Sequence, residues 1–314
     1  WHAMLRIVKP LLKARRYEDG LRVCERLAVM TASMKNVSDG GRDKVEYLLG
    51  YAKAEVACIG FPETLQGLSP EEQKPRVLEK FRELHGGQDV FTILSDTECR
   101  SLDPRCIFLQ PLRGTTYTSL FLGTCQVRDL EPLRGQPLEF LEISQLQVTD
   151  LDPLRGMPLK TLNLRHCEID DLTPLKDLTV ESMTLYGLPI DDLSPLSGLP
   201  LKTLYLTSCG NLTDVTPLAG VPLTFLHLGH TGVSDLSPLR DAKLTWLVIG
   251  GDTIKDLSPI ANWPLETIQL VQTSVKSIDV LKNAPVKDFT FLYANIEDVS
   301  ALKGKPLHRV VLSN

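Results

Sequence analysis

Residues 192–200 read DLSPLSGLP, and nearly the same nine letters return at residues 214–222 (DVTPLAGVP) and 235–243 (DLSPLRDAK). The proline of this motif recurs every 21 residues, with a single step of 22, at Pro111, Pro132, Pro153, Pro174, Pro195, Pro217, Pro238 and Pro259. Val280 and Ala301 occupy the same place after two more steps of 21 residues. A fixed period of this length indicates a solenoid, in which each unit buries its apolar face against the next.

One unit, residues 158–177, reads PLKTLNLRHCEIDDLTPLKD. Leu162 and Leu164 alternate with polar residues, which predicts a short strand with one buried face. Ser, Thr or Asp precedes the proline in most units, as Thr173 does here, and these residues cap helices whose first position favours proline. Gly, Asp or Asn follows three residues after the proline, and these residues tolerate the positive φ that ends a helix. Each unit is therefore predicted to be a strand, a turn, one capped 3₁₀ or single helical turn on the convex side, and a stop.

The L-x-x-L-x-L spacing of Leu159, Leu162 and Leu164 resembles that of leucine-rich repeats. The array over residues 101–314 is similar in layout to internalins and to the DLSPLxGxPLxxLxL arrays of planctomycete-type bacteria, which are often joined to serine/threonine kinases. The resemblance implies an α/β solenoid: a horseshoe with short parallel strands that binds other macromolecules. We assign residues 99–314 to this array of about ten 21-residue units. The sequence contains neither a glycine-rich nucleotide loop nor an H-R-D segment, so it carries no kinase signature.

Residues 1–98 lack the 21-residue period and are predicted to form a helical N-terminal cap or a small helical domain. Residues 4–34 place apolar residues at three- and four-residue steps, as amphipathic helices do. Residues 69–84 (SPEEQKPRVLEKFREL) begin with a Ser cap and an acidic first turn. Residues 15–28 have a faint likeness to the second helix of a tetratricopeptide unit, but no second unit follows in register. We favour a cap that closes the first repeat.

Composition and charge exclude some classes of protein. The chain has no apolar run of about 18 residues, which argues against a transmembrane span. Its 39 acidic and 34 basic residues give a net charge of −5, which argues against a dedicated nucleic-acid binder. No signal peptide opens the chain, which starts at Trp1 and is either a fragment or begins naturally at Met4.

The seven cysteines lack CxxC spacing, which supports neither a zinc site nor a full disulfide framework. Cys125, Cys167 and Cys209 are two units apart, beyond disulfide reach, and are predicted to be buried core residues. Cys99 and Cys106 lie near the cap and would pair only in an oxidising compartment. We predict free thiols and a cytoplasmic protein.

Two patterns suggest metal binding, and both have simpler readings. A column of aspartates recurs at the same place in eight of the ten units, at Asp129, Asp150, Asp171, Asp192, Asp214, Asp235, Asp256 and Asp298. We expect each carboxylate to bond the backbone of its own turn. His227 and His230 have His-x-x-His spacing, but no third ligand falls in a neighbouring unit. We find no catalytic motif, and we predict no enzyme activity, no cofactor and no metal.

The outward residues of the predicted strands form the concave face, where a partner would bind. In a regular sheet this face carries aromatic side chains in neighbouring units. The predicted partner-binding residues are Tyr186, Tyr205, Phe225, His227, Trp246, Arg165 and Phe140. Trp, Tyr and Arg dominate binding energies at protein interfaces, whereas strands also favour aromatic residues for packing alone. A register slip of one residue would turn this set inward.

Three functions are consistent with these features. The first is a non-catalytic protein-interaction module that holds a protein or peptide on its concave face. The second is the regulatory or targeting arm of a larger bacterial signalling enzyme, such as a serine/threonine kinase. In the third, the helical segment 1–98 binds the partner and the repeats act as a spacer.

Overall fold

A computed structural model describes residues 17–33, 39–95, 97–101, 103–293 and 296–313. Residues 4–16, the first part of the predicted helical stretch, lie outside this range. Three helices begin the described chain: α1 (Tyr17–Ser33), α2 (Asp39–Ala57) and α3 (Pro70–Leu84). None of the helices in the described ranges is both long and apolar enough to cross a membrane.

Within the described ranges, a sheet of twelve strands follows the helices, in sequence order from one edge to the other. β1 is antiparallel to β2, and the later strands pair in parallel. The strands are β1 (Thr92–Ile93), β2 (Glu98–Ser101), β3 (Ser119–Gly123), β4 (Phe140–Ser144), β5 (Thr161–Arg165), β6 (Ser182–Tyr186), β7 (Thr203–Thr207), β8 (Phe225–Gly229), β9 (Trp246–Gly250), β10 (Thr267–Val271), β11 (Asp288–Leu292) and β12 (Arg309–Ser313). The predicted solenoid of short parallel strands with a helical cap is thereby confirmed.

The period of the sequence sets the register of the sheet. Leu141 pairs with Leu162, one period later, and Leu162 pairs with Met183. The second and fourth residues of each central strand are buried in the core, and Leu162 and Leu164 are fully buried, as their alternation predicts. The return side of each unit carries a short 3₁₀ turn, such as Thr173–Leu175, so the predicted 3₁₀ convex side is also confirmed.

The cap contacts the first repeat through the ring of Phe108, whose centroid lies 6.2 Å from that of Tyr47 in α2 and 5.8 Å from that of His85, and through hydrogen bonds. Ser69 and Glu72 form a capping box at the start of α3, in agreement with the predicted cap. At the end of α3, His85 Nε2 accepts the N–H of Ile107 at 3.1 Å. That bond assigns the proton to Nδ1, which therefore donates to the Phe81 carbonyl at 2.8 Å. Burial lowers the pKa of His85, consistent with this neutral ring.

The predicted helix caps are wrong, and the aspartate column takes their place. The residue before the proline is already the first residue of the 3₁₀ turn, and the Leu before it makes no side-chain capping bond. Instead, the N–H of that first residue donates to the aspartate two positions earlier, over 2.7–2.9 Å in all eight units that carry the column aspartate. The expected backbone role of the aspartates is thereby confirmed. Two units lack the aspartate, with Phe108 and Ser277 in its place. Ser277 Oγ accepts the equivalent N–H, from Asp279, at 3.2 Å.

The predicted positive φ after each 3₁₀ turn occurs at glycines only. Gly198 has φ of 77° after Ser197 at φ −60° and ψ 127°, which together form a type II turn. Asp177 has no positive φ because Lys176 before it is helical, at φ −57° and ψ −25°, as in a type I turn. The prediction of positive φ is therefore wrong at Asp177, Asp241, Asn262 and Asn283. The two turns differ by one rotated peptide plane, and only type II needs glycine.

This difference gives a test at Gly198. Gly198→Val is expected to lower the free energy of unfolding by about 1–2 kcal/mol, because a β-branched residue is strained at positive φ. A Cβ at this position would meet no atom within 4 Å, so backbone strain accounts for the whole effect. Gly198→Asp is the control and is expected to cost less than about 1 kcal/mol, because Asp can adopt the type I turn of Asp177. Urea unfolding measures both variants; equal midpoints for Gly198→Val and the parent chain would contradict the prediction.

Each strand from β3 to β11 is followed by a residue of positive φ, which the sequence pattern does not predict. Two of these residues are glycines, Gly187 and Gly251, and the others have φ between 50° and 56°: Thr124, Gln145, His166, Ser208, His230, Gln272 and Tyr293. The N–H of His166 donates to Tyr186 O at 2.7 Å, and that of Ser208 to Gly229 O at 2.7 Å. These bonds extend the ladder one residue past each strand, which fixes the left-handed backbone there.

The seven cysteines are free and buried. Cys167 and Cys209 alternate with leucines, Leu146 and Leu188, at the equivalent place of the intervening units. The Cys209 thiol lies 3.5 Å from Leu185 O in the preceding unit, a weak S–H donor contact. Burial raises the pKa of Cys167 and Cys209, so both behave as small core residues.

Candidate functional site on the concave face

The outer face of the sheet, opposite the 3₁₀ turns, is the concave face. Its side chains are the first, third and fifth residues of each central strand, which are mostly half-buried while their neighbours are fully buried. The register pairs Tyr205 with His227 and Phe225 with Trp246. The seven predicted partner-binding residues occupy outward positions, so no register slip turns them into the core.

Four of these seven side chains form one contiguous group, which we call the aromatic cluster: Tyr205, Phe225, His227 and Trp246. The Phe225 ring centroid lies 5.3 Å from that of Trp246 and 4.6 Å from that of Tyr205. Tyr205 meets the His227 ring edge-on at 5.8 Å. These separations lie within the range in which aromatic rings attract one another. Trp246 is 42% exposed, so the cluster ends in apolar surface that the described residues cover only in part.

The other three predicted residues lie apart from the aromatic cluster. Phe140 packs on Phe121 of the adjacent strand, with 4.6 Å between ring centroids. Tyr186 meets His166 edge-on at 4.6 Å. Arg165 pairs with Tyr186 in the sheet register, and its buried Nε has no hydrogen-bond partner among the described residues. His166 was missed by the sequence reasoning, because only the left-handed turn after β5 brings its ring beside the strand.

His227 owes its position to a glycine. A Cβ built on Gly229 would lie 2.9 Å from His227 Nε2, so only glycine lets the imidazole lie across the end of β8. The Thr207 hydroxyl lies 3.4 Å from Nδ1 of the same ring. Burial, and secondarily the neighbouring His230, lower the pKa of His227 below its ordinary value. The ring is therefore neutral at pH 7 and contributes apolar surface to the cluster.

The patterns that suggested metal binding have structural explanations. In the described ranges, no group of three or more His, Cys, Asp or Glu side chains is placed to hold a metal ion. The aspartate carboxylates are engaged by their own turns, and the hydroxyl and N–H of Thr216 hold the pKa of Asp214 below its usual value. The outward positions of the central strands carry aromatic rings and hydroxyl groups instead, in the aromatic cluster and at Thr207 beside it.

Comparison with known proteins gives a structural likeness but no sequence family. No protein-family model matches the sequence, and no curated protein matches it. The fold is similar to that of an internalin (inlC2) from Listeria monocytogenes, with 29% sequence identity over 75% of this chain and 92% of that chain and a TM-score of 0.51. It is also similar to another internalin (inlF) of the same organism, with 25% identity over 66% of this chain and 71% of that chain and a TM-score of 0.55. The chain is thus a leucine-rich-repeat solenoid with a helical N-terminal cap, similar to listerial internalins.

Proposed function

We propose that this chain is a non-catalytic protein-interaction module that binds a protein or peptide through the aromatic cluster. The observation that carries the proposal is the contact of four rings on one solvent-facing surface, ending in the exposed Trp246. Tyr and Trp bring large apolar area at a small entropic cost, and they form the anchors of many protein interfaces. The internalin-like solenoid supports a role in protein interaction in general, and the cluster supplies the proposed place.

Packing of the rings against one another is the competing explanation, and the exposure of Trp246 argues against it. Rings that serve only the sheet would cover one another, as Phe121 and Phe140 do, and neither of those two side chains is exposed. Trp246 contacts Phe225 on one side and is open to solvent over much of its surface. An exposed tryptophan next to partly buried aromatic rings is typical of an interface that lacks its partner.

The test is an affinity capture from the lysate of the source organism, with captured proteins identified by mass spectrometry. The parent chain is compared with Tyr205→Ala/Trp246→Ala, and each single substitution is expected to weaken binding by more than about 1 kcal/mol. Phe121→Ala is the matched control, an aromatic residue in the same column as Tyr205 but four strands away, and it should leave capture unchanged. Normal capture by a folded double variant would refute the cluster as the site.

A second candidate is that the array is the regulatory or targeting arm of a larger signalling enzyme. The DLSPL spacing favours it, because arrays of that type are often joined to serine/threonine kinases. The full-length reading frame decides between these two candidate functions. An adjoining kinase domain would make the partner of the cluster either another part of the same polypeptide or the substrate of that kinase. A reading frame with no enzyme domain beside the repeats would remove the second candidate.

A further inference from the structure

The edge of the concave face where the strands begin carries a ladder of charge pairs. From β4 to β7, and again at β10 and β11, the residue immediately before the strand alternates between Glu and Lys, and the two members of a pair come from adjacent units. Glu139 pairs with Lys160 at 2.7 Å, and Glu181 pairs with Lys202 at 2.8 Å. Towards the other end, Lys287 pairs with Glu266 at 2.8 Å. We call this row of pairs the charged rim.

Between β4 and β11 the charged rim is interrupted once, directly beside the aromatic cluster; outside this run, the rim positions Thr97, Thr118 and His308 form no Glu–Lys pair either. Between Lys202 and Glu266 the two rim positions are Thr224 and Thr245. Their hydroxyls turn to the backbone, Thr224 Oγ1 donating to Lys202 O at 3.1 Å and Thr245 Oγ1 to Thr224 O at 3.2 Å. The interruption therefore exposes no charged group, and it leads directly to Phe225 and Trp246, the next residues of the two strands.

The interruption continues across the face as an uncharged path. We call it the β8–β9 lane, and it consists of Thr224, Thr245, Phe225, Trp246, His227, Val248, Gly229 and Gly250. None of these residues is Asp, Glu, Lys or Arg, and the lowered pKa of His227 keeps its ring neutral at pH 7. The strand pairs on either side differ: β6–β7 begins with the Glu181–Lys202 pair, and β10–β11 begins with Glu266–Lys287.

We infer that the β8–β9 lane is the docking path of an extended, uncharged segment of a partner protein, with a large apolar side chain placed on Phe225 and Trp246. The inference rests on the proposed function and specifies its partner. A charged side chain brought over the cluster would lose its hydration with no opposite charge to pair with, which selects against charged segments. A path of five strand residues is about 17 Å long, which an extended segment of about six residues spans.

The charged rim explains why such a segment would cross at the interruption. An apolar segment bound over Glu181–Lys202 or Glu266–Lys287 would remove water from both charged groups, and it would offer no hydrogen bonds in place of that water. Over Thr224 and Thr245 it covers methyl groups and hydroxyls that are already bonded. The two flanking pairs thus disfavour binding over the neighbouring strands and so specify where the segment lies. The aromatic rings provide the apolar contact.

The test uses displayed random linear peptides of about 12 residues, twice the length that spans the lane, selected on the full 314-residue chain. The decisive variant is Thr224→Glu/Thr245→Lys, which rebuilds the missing rim pair in the form already present at three places. Because the neighbouring units carry the same pair, this variant is expected to keep the melting temperature of the parent. The control is Glu139→Thr/Lys160→Thr, which opens the rim three strands away from Phe225.

The expected peptides are poor in Asp, Glu, Lys and Arg and share one aromatic or large aliphatic residue. Rebuilding the rim pair should weaken them by about tenfold or more, and the control should leave their affinity within about twofold. Peptides that lose binding with Tyr205→Ala/Trp246→Ala but not with Thr224→Glu/Thr245→Lys, or that are rich in charge, would overturn the lane and leave the proposed function standing. Peptides whose binding neither double variant weakens would overturn the lane and the proposed function together. A selection that yields no peptide, while neutral oligosaccharides bind the chain, would also overturn them.

Discussion

Replacing Trp263 by alanine is expected to lower the free energy of unfolding by about 3–5 kcal/mol, the usual cost of emptying a large aromatic site in a core. Trp263 is among the largest fully buried side chains of the described chain, with 1% of its surface exposed. Its indole Nε1 donates to Leu239 O of the preceding unit at 3.0 Å, so the substitution also removes a bond between two units. A buried carbonyl left without this donor adds to the loss.

The neighbouring units cannot fill the cavity that Trp263→Ala would leave. Ala242 and Ala284 hold the equivalent position in the preceding and following units, where other units have Met157 or Leu199. The indole thus fills space that its small neighbours leave, and no long side chain at that position can move into the cavity. Cost depends on how far a site can collapse, so the expected value lies toward the upper part of the range.

Urea unfolding followed by far-ultraviolet circular dichroism measures the effect of Trp263→Ala. Trp246→Ala is the matched control, since it removes the same side chain from the exposed cluster and is expected to cost less than about 1 kcal/mol. The same comparison shows whether the binding variant of the proposed site is folded. Equal losses for the two variants, or no loss at Trp263, would contradict the packing described for this unit.

The sequence predicts the architecture well because each unit depends only on its neighbours. One period, read from the prolines, sets the strand spacing, and the pairing of Leu141 with Leu162 follows from it. The same register also places Tyr205 and Trp246 on the outer face, since side chains alternate along a strand. These properties are repeated in every unit, so a pattern that holds across the array specifies them without any knowledge of tertiary contacts.

The details within one turn are harder to predict, because different residue types can accept the same backbone N–H or occupy the same position of a turn. Asp and Thr are both good caps, and the sequence predicts that Asp171 bonds the backbone of its own turn, but not that this bond takes the place of a cap by Thr173. Gly198 and Asp177 occupy the same place in two turn types. The left-handed residue after each strand from β3 to β11 has no common residue type, since His166 and Ser208 adopt it as Gly187 does, held by the hydrogen bonds that extend the ladder.

In the candidate site, too, the sequence predicts where side chains lie but not which of them are in contact. The alternation of residues predicts that seven side chains face outward, but it does not predict which of them touch. Phe225 reaches diagonally to Tyr205 because its direct neighbour in the sheet, Thr203, is small. Tyr186 turns instead to His166, which stands there only because of the backbone after β5. Contacts of this kind depend on side-chain rotamers, which a single sequence does not specify.

The junction between the cap and the array gives the last prediction. Arg113→Ala is expected to lower the free energy of unfolding by about 3–5 kcal/mol, because it leaves a buried carboxylate without its counter-ion. The carboxylate belongs to Glu55 of α2, which is 2% exposed. Both terminal nitrogens of Arg113 donate to it, one of them over 2.8 Å, and Gln110 Nε2 adds a bond of 3.2 Å. This network ties α2 to the first repeat.

The array supplies its own control for Arg113, because the same Pro-Leu-Arg-Gly letters recur in later units. Arg155 follows Pro153 and Leu154 just as Arg113 follows its proline, but it pairs with Asp152 at the surface, where the two side chains are 40% and 43% exposed. Arg155→Ala is expected to cost at most about 1 kcal/mol, since water replaces the lost partner.

Hydrogen exchange should show that Arg113→Ala increases the exchange of the α2 amides before that of the central strands, because coupling in a solenoid passes only between neighbouring units. Equal costs for the two arginines, or unchanged exchange in α2, would mean that the aromatic packing around Phe108, rather than the buried ion pair, holds the cap to the repeats.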